Sequence, residues 1–108
     1  MEIVALPGYT KAVGKLLSTS ERDAMEGAIM TAPLKFPVIP ATGGFRKARW
    51  KRGNRGKSGG VRAIFYYFVS GEEIYLQAIY AKNRKENLTS EECKELQQIA
   101  AVIERQKE

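Results

Sequence analysis

The sequence predicts an α+β domain: two N-terminal helices, then a twisted antiparallel sheet of three to four strands, then a C-terminal helix. Three observations predict it. Two stretches with helical apolar spacing precede Pro33, three β-rich runs separated by glycine-bearing segments fill the middle, and a capped amphipathic stretch follows. No repeat, low-complexity tract or linker divides the 108 residues, so a single domain over 1–108 is expected.

Ile3 to Leu6 fits either a short strand or an irregular entry, punctuated by Pro7-Gly8. Tyr9, Val13, Leu16 and Leu17 stand at i, i+4, i+7 and i+8, one apolar stripe on a short helix. Ser18 and Ser20 each have an acidic residue three positions on, Glu21 and Asp23, so either can open the second helix. That helix presents Ala24, Met25, Ala28 and Ile29 on one side and must end by Pro33. Leu34 to Gly44, with two prolines and two glycines, reads as an extended crossing loop.

Strands are expected over Phe45 to Lys51, Val61 to Val69 and Glu73 to Lys82, the last two joined by a tight Ser70-Gly71 turn. Both faces of the second run are mostly apolar, which marks a central strand. In the third, Ile74, Leu76, Ala78, Tyr80 and Lys82 share a face by simple alternation. Phase in the first stays open, because Phe45 and Trp50 fall on opposite faces unless a bulge intervenes. Tyr66, Tyr67 and Tyr80 are assigned to core or rim, and Trp50 to the core, with an antitoxin contact or a base platform as its alternatives. Thr89 with Glu92 makes a capping box, followed by an apolar face of Cys93, Leu96, Ile99, Ala100 and Ile103. Cys93 is therefore a small core residue. A lone cysteine and an N-terminus without a basic, then apolar, leader lead us to expect a reducing cytoplasm and no membrane partner.

Charge is distributed unevenly. The net charge is +6, yet between Gly27 and Gly71 there are nine Lys or Arg and no Asp or Glu. Eight of those nine lie from Arg46 to Arg62: Arg46, Lys47, Arg49, Lys51, Arg52, Arg55, Lys57 and Arg62. Like charges this dense repel one another, which points to a polyanionic partner.

The chemistry open to this chain is narrow. It has no histidine, one cysteine and no acidic residue in the basic segment, so imidazole catalysis, a zinc site and a two-carboxylate magnesium site are all poor fits. No metal or cofactor is expected. Gly53 to Ser58 superficially suggests a phosphate-binding loop, but the first required glycine is Lys51, and Gly59-Gly60 and a strand follow instead of a helix. Arg, Lys and Tyr remain, and they suffice for RNA cleavage by its own 2′-hydroxyl. Antiparallel pairing brings Arg62 and Lys82 to the same end of the sheet, away from the Ser70-Gly71 turn.

Gly43-Gly44-Phe45-Arg46-Lys47-Ala48-Arg49-Trp50, Gly56-Lys57-Ser58-Gly59-Gly60-Val61-Arg62, Ile74-Tyr75-Leu76, Tyr80-Ala81-Lys82-Asn83 and Leu88-Thr89 together resemble the HigB branch of the RelE/ParE superfamily of toxins. The resemblance implies a RelE-like fold related to microbial ribonucleases and metal-independent endonucleolytic cleavage of mRNA on the 70S ribosome. It implies a cognate antitoxin, of the helix-turn-helix, HigA-like kind, with operator DNA bound only through the antitoxin complex. By position Arg46, Lys47 and Arg49 match the family's basic first strand, Arg62 its phosphate arginine, and Lys82 with Asn83 its polar cluster after the third strand. Lys51, Arg52 and Arg55 complete the expected RNA-binding set. Where RelE carries Lys-Arg this chain has Lys82-Asn83, and its C-terminal helix has no tyrosine, so proton transfer is assigned to Lys82 or Lys57. The catalytic set is thus Arg62, Lys82 and Lys57. The competing readings are a ParE-like toxin directed at DNA gyrase and a non-catalytic nucleic-acid-binding module.

Overall fold

A computed structural model describes residues 1–53, 60–85 and 87–106. Its elements are β1 (Glu2–Ala5), α1 (Pro7–Leu16), α2 (Thr19–Thr31), β2 (Arg46–Trp50), β3 (Val61–Phe68), β4 (Glu73–Ala81) and α3 (Ser90–Arg105), with a 3-10 turn at Pro33–Lys35. Each expected helix and strand is present, the strands within one residue of their expected ends. Pro7 opens α1, where its missing N–H costs nothing. Ser18, rather than Ser20, caps α2: its hydroxyl accepts from the Glu21 N–H at 3.1 Å, and Glu21 accepts the Ser18 N–H at 2.8 Å. The hairpin turn closes with the Glu72 N–H donating to the Val69 carbonyl at 3.1 Å, with Glu72 in the left-handed region.

The four strands run in the order β1-β4-β3-β2. β2, β3 and β4 are antiparallel neighbours, but β1 pairs parallel with β4, from Glu2 opposite Glu73 to Ala5 opposite Leu76. The sheet is therefore mixed, which corrects the expectation of a purely antiparallel one. The α1–α2 hairpin separates β1 from the other strands, so no tight turn fixes β1's direction.

Helices cover both faces. On one, Tyr9, Val13 and Leu17 of the α1 segment and Met25 and Ile29 of α2 pack with Ala48, Ala63, Phe65, Ile74 and Leu76. On the other, Leu96, Ala100 and Ile103 of α3 pack with Phe45, Ile64, Tyr66, Phe68 and Tyr75. Two-sided burial explains why β3 reads as one apolar run and why Phe45 and Trp50 point opposite ways without a bulge.

The bulge lies in β4. Ile64 pairs with Ala78 and Phe65 with Leu76, leaving Gln77 as the extra residue. Alternation is reset there. Ile79 joins the α1–α2 core with Ile74 and Leu76, while Ala78 and Tyr80 turn to the α3 side. The single shared face expected for Ile74, Leu76, Ala78, Tyr80 and Lys82 is corrected accordingly. The crossing segment is clamped to α3, with the Gln97 amide donating to the Ala41 carbonyl at 2.7 Å. Gly43 (φ 77) lets it approach so closely that a Cβ there would lie 3.2 Å from that of Ala100.

Candidate nucleic-acid interface

The sheet register builds the site. Arg49 pairs with Arg62, and Arg62 with Tyr80, so three strands contribute one row of side chains on the α3 side. Arg49, Lys51, Arg62 and Lys82 line one pocket of about 340 Å³, bordered by Trp50 and Val61. Arg62 is 7% exposed, buried in the sheet yet bordering that pocket. Lys82 is set at the strand end by its N–H donating to the Gly60 carbonyl at 2.9 Å. Arg62 and Lys82 therefore meet at one end of the sheet, as antiparallel pairing predicts.

Lys47, opposite Ile64, lies one row further along the same face. With Arg49 it lines a second pocket of about 460 Å³ against Pro37, Pro40 and Cys93. Arg49 borders both pockets, joining them into one basic groove. Burial above all, and then the charges of Arg62 and Arg49, hold the Lys47 ammonium below the usual lysine range. Cys93 is only half-buried and faces this groove rather than sitting deep in the core.

Tyr80 closes the row. Its hydroxyl is buried with no hydrogen-bond partner among the described residues. Burial pushes the phenol's pKa up, opposed by the charges of Arg62 and Lys85. The Lys85 ammonium sits 5.7 Å from the Tyr80 ring centroid and forms an ion pair with Glu92. The hydrogen bond from Lys85 and then that from the Thr89 N–H hold the Glu92 carboxyl below its usual range. The cap of α3 is thereby tied to the end of the Arg49–Arg62–Tyr80 row. Sequence reasoning missed the place of Tyr80 in this row because the bulge hides the Arg62–Tyr80 pairing.

Other expected contacts fall elsewhere. Arg46 lies on the α1–α2 side by alternation and donates to the Phe36 carbonyl at 2.7 Å, so it pins the crossing segment. Arg52 lies beside Glu21 and lines pockets with α1 residues, because the chain has left the strand after Trp50. Asn83 is exposed and does not line the Arg62–Lys82 pocket. Lys57 and Arg55 lie outside the described residues. Among those described, no cluster of His, Cys, Asp or Glu could hold a metal ion, and no helix is long and apolar enough to cross a membrane.

Fold and site together define a small basic α+β protein that gathers its cations at one end of a sheet covered by helices on both faces. The chain belongs to the RelE family: the family model described as RelE toxin of the RelE / RelB toxin–antitoxin system matches residues 40–108, more than half of it. It is thus the toxin component of a toxin–antitoxin system, with an antitoxin as partner. The match takes in β2, β3, β4 and α3, and so every residue lining the Arg62–Lys82 pocket.

Proposed function

We propose that this toxin is a ribosome-dependent, metal-independent mRNA endonuclease of the HigB kind, acting in the cytoplasm and held inactive by a HigA-like helix-turn-helix antitoxin. The observation that carries the reading is the convergence of Arg49, Lys51, Arg62 and Lys82 on one pocket, with Lys47 beside it. Cations from three strands, fixed by sheet register, supply preorganised charge for a phosphorane without reorganisation during the reaction.

In this mechanism Arg62 and Arg49 grip the non-bridging oxygens of the scissile phosphate. Lys47 takes the proton of the 2′-hydroxyl as its oxygen bonds to phosphorus. The bond from phosphorus to the 5′-oxygen breaks, and Lys82 gives that oxygen a proton. The products are a 2′,3′-cyclic phosphate and a 5′-hydroxyl, so atoms and charges balance. We take Lys47 as the base in place of the sequence-based choice of Lys57 or Lys82, because it lines the groove beside Arg49 and because burial, then the charges of Arg62 and Arg49, lower its pKa.

Induction in a bacterium, followed by mapping of mRNA 5′ ends with and without translation of a reporter, tests the reading. Cuts at codon spacing only in translated messages are expected. Intact messages with gyrase-linked DNA damage would replace it with a ParE-like action, and intact messages alone with simple binding. Arg62→Ala and Lys82→Ala should each lower cleavage about 10²-fold or more and relieve growth arrest at unchanged fold. Full toxicity in both would remove the site assignment.

A further inference from the structure

On the α1 side of the same sheet end lies a pocket of about 570 Å³ rimmed by Lys11, Lys15, Arg52 and Arg84. Three separate segments supply these cations: α1, the exit of β2 and the turn after β4. Among the described residues no carboxylate lines the pocket, and none of the four cations makes a salt bridge. Glu21, beside Arg52, lines the neighbouring pocket instead. Lys11 and Lys15 stand four apart on one helix face, a like-charge spacing that weakens a helix. The Arg84 N–H donates to the Ala81 carbonyl at 3.1 Å, which holds that turn. Like charge gathered from three segments favours an anion as its partner.

Its position says which anion. Lys51 and Lys82 line the Arg62 pocket, while their chain neighbours Arg52 and Ala81 line this one. Adjacent residues are about 3.8 Å apart at Cα, so the two pockets meet around the sheet end within a single peptide step. Lys11 and Lys15 precede the residues matched by the family model, whereas Arg52 and Arg84 lie within them, so the match does not speak for the α1 half of this surface.

We propose that the Lys11–Lys15–Arg52–Arg84 pocket binds backbone phosphates of the same RNA strand whose scissile phosphate lies in the Arg62 pocket, so that the strand wraps the end of the sheet. This rests on the RNA-cleavage reading above, and its test separates the two. Wild type, Lys11→Ala/Lys15→Ala/Arg84→Ala and Arg62→Ala are titrated against 2′-O-methyl oligouridines of two to eight nucleotides, whose blocked hydroxyl prevents cleavage. The three α1-side positions are exposed, and matched thermal melts check that the fold is kept. Wild type should gain at least tenfold in affinity with length, and the triple variant should lose that gain. Its slope of log affinity against log salt should fall by about 2, the value for three lost single-strand contacts. Arg62→Ala should weaken short and long oligomers alike. A length gain and salt slope kept by the triple variant, or no gain in wild type, overturns the proposal. So does poly-glutamate that displaces the RNA at equal charge and depends on the same three residues, since the pocket then belongs to an acidic protein. If the length gain depends on these cations while translated messages stay uncut, strand binding stands and the cleavage reading falls.

Discussion

Lys47 shows how a single environment decides a role. The residue is half-buried on the same face as Arg62 and Arg49, and burial first, then those two charges, lowers its pKa. An amine accepts a proton only when neutral, so a lowered pKa raises the fraction able to act at a given pH. Single-turnover cleavage of ribosome-bound message should therefore rise with pH at unit slope and level off below the ordinary lysine range. Lys47→Ala should cost roughly 10²–10⁴ in rate and erase the rising limb. A limb that survives in the variant would transfer the base role to another group. Sequence placed Lys47 among the RNA contacts and went no further. The reason is physical: Phe45, buried, and Trp50, partly buried, pack into opposite cores from the two ends of β2, so apolar alternation gives no phase. Arg62 and Lys82 were legible because antiparallel register alone fixes which ends of β3 and β4 meet.

At the scale of elements, local signals were sufficient wherever the cause was local. The Ser18 and Thr89 boxes, Pro33 and the glycine turns mark their boundaries through neighbouring residues. The parallel pairing of β1 and the bulge at Gln77 were not legible, because each depends on a partner strand. Ile74, Leu76, Ala78 and Tyr80 alternate without any visible irregularity, and only pairing with β3 exposes the extra residue. That bulge turns Tyr80 toward Arg62, so the site depends on the least readable feature of the sheet. The cap of α3 links stability to this region. The Thr89 hydroxyl accepts from the Glu92 N–H at 3.1 Å, and Glu92 also holds Lys85. Thr89→Ala should lower unfolding free energy by about 1 kcal/mol, seen as a shifted urea midpoint with an unchanged slope. A loss near zero would mean that α3 is held by Leu96, Ala100 and Ile103 alone.

Across the whole molecule, charge and packing pull in different directions. The sheet is buried on both faces by two cores, whereas the segment from Gly27 to Gly71 carries nine cations and no carboxylate. Screening should relieve repulsion among them, so free toxin should melt at higher temperature as salt rises from 0.02 to ~0.5 M, where the Debye length falls below about 10 Å. Lys47→Met keeps the apolar stem and removes a charge that burial and two arginines already disfavour. It should raise stability by about 0.5 kcal/mol, shrink the salt-driven gain, and slow cleavage as Lys47→Ala does. Arg49→Gln should shift stability the same way, by less, because Arg49 is exposed. Calorimetric melts of both variants across the salt series decide the point. Variants that are less stable, with the salt response intact, would mean that these side chains stabilise the sheet by packing. Variants that are firmer but inactive would mean that the groove's charge is retained for its ligand at the expense of the fold, and that an antitoxin covering it relieves the same repulsion.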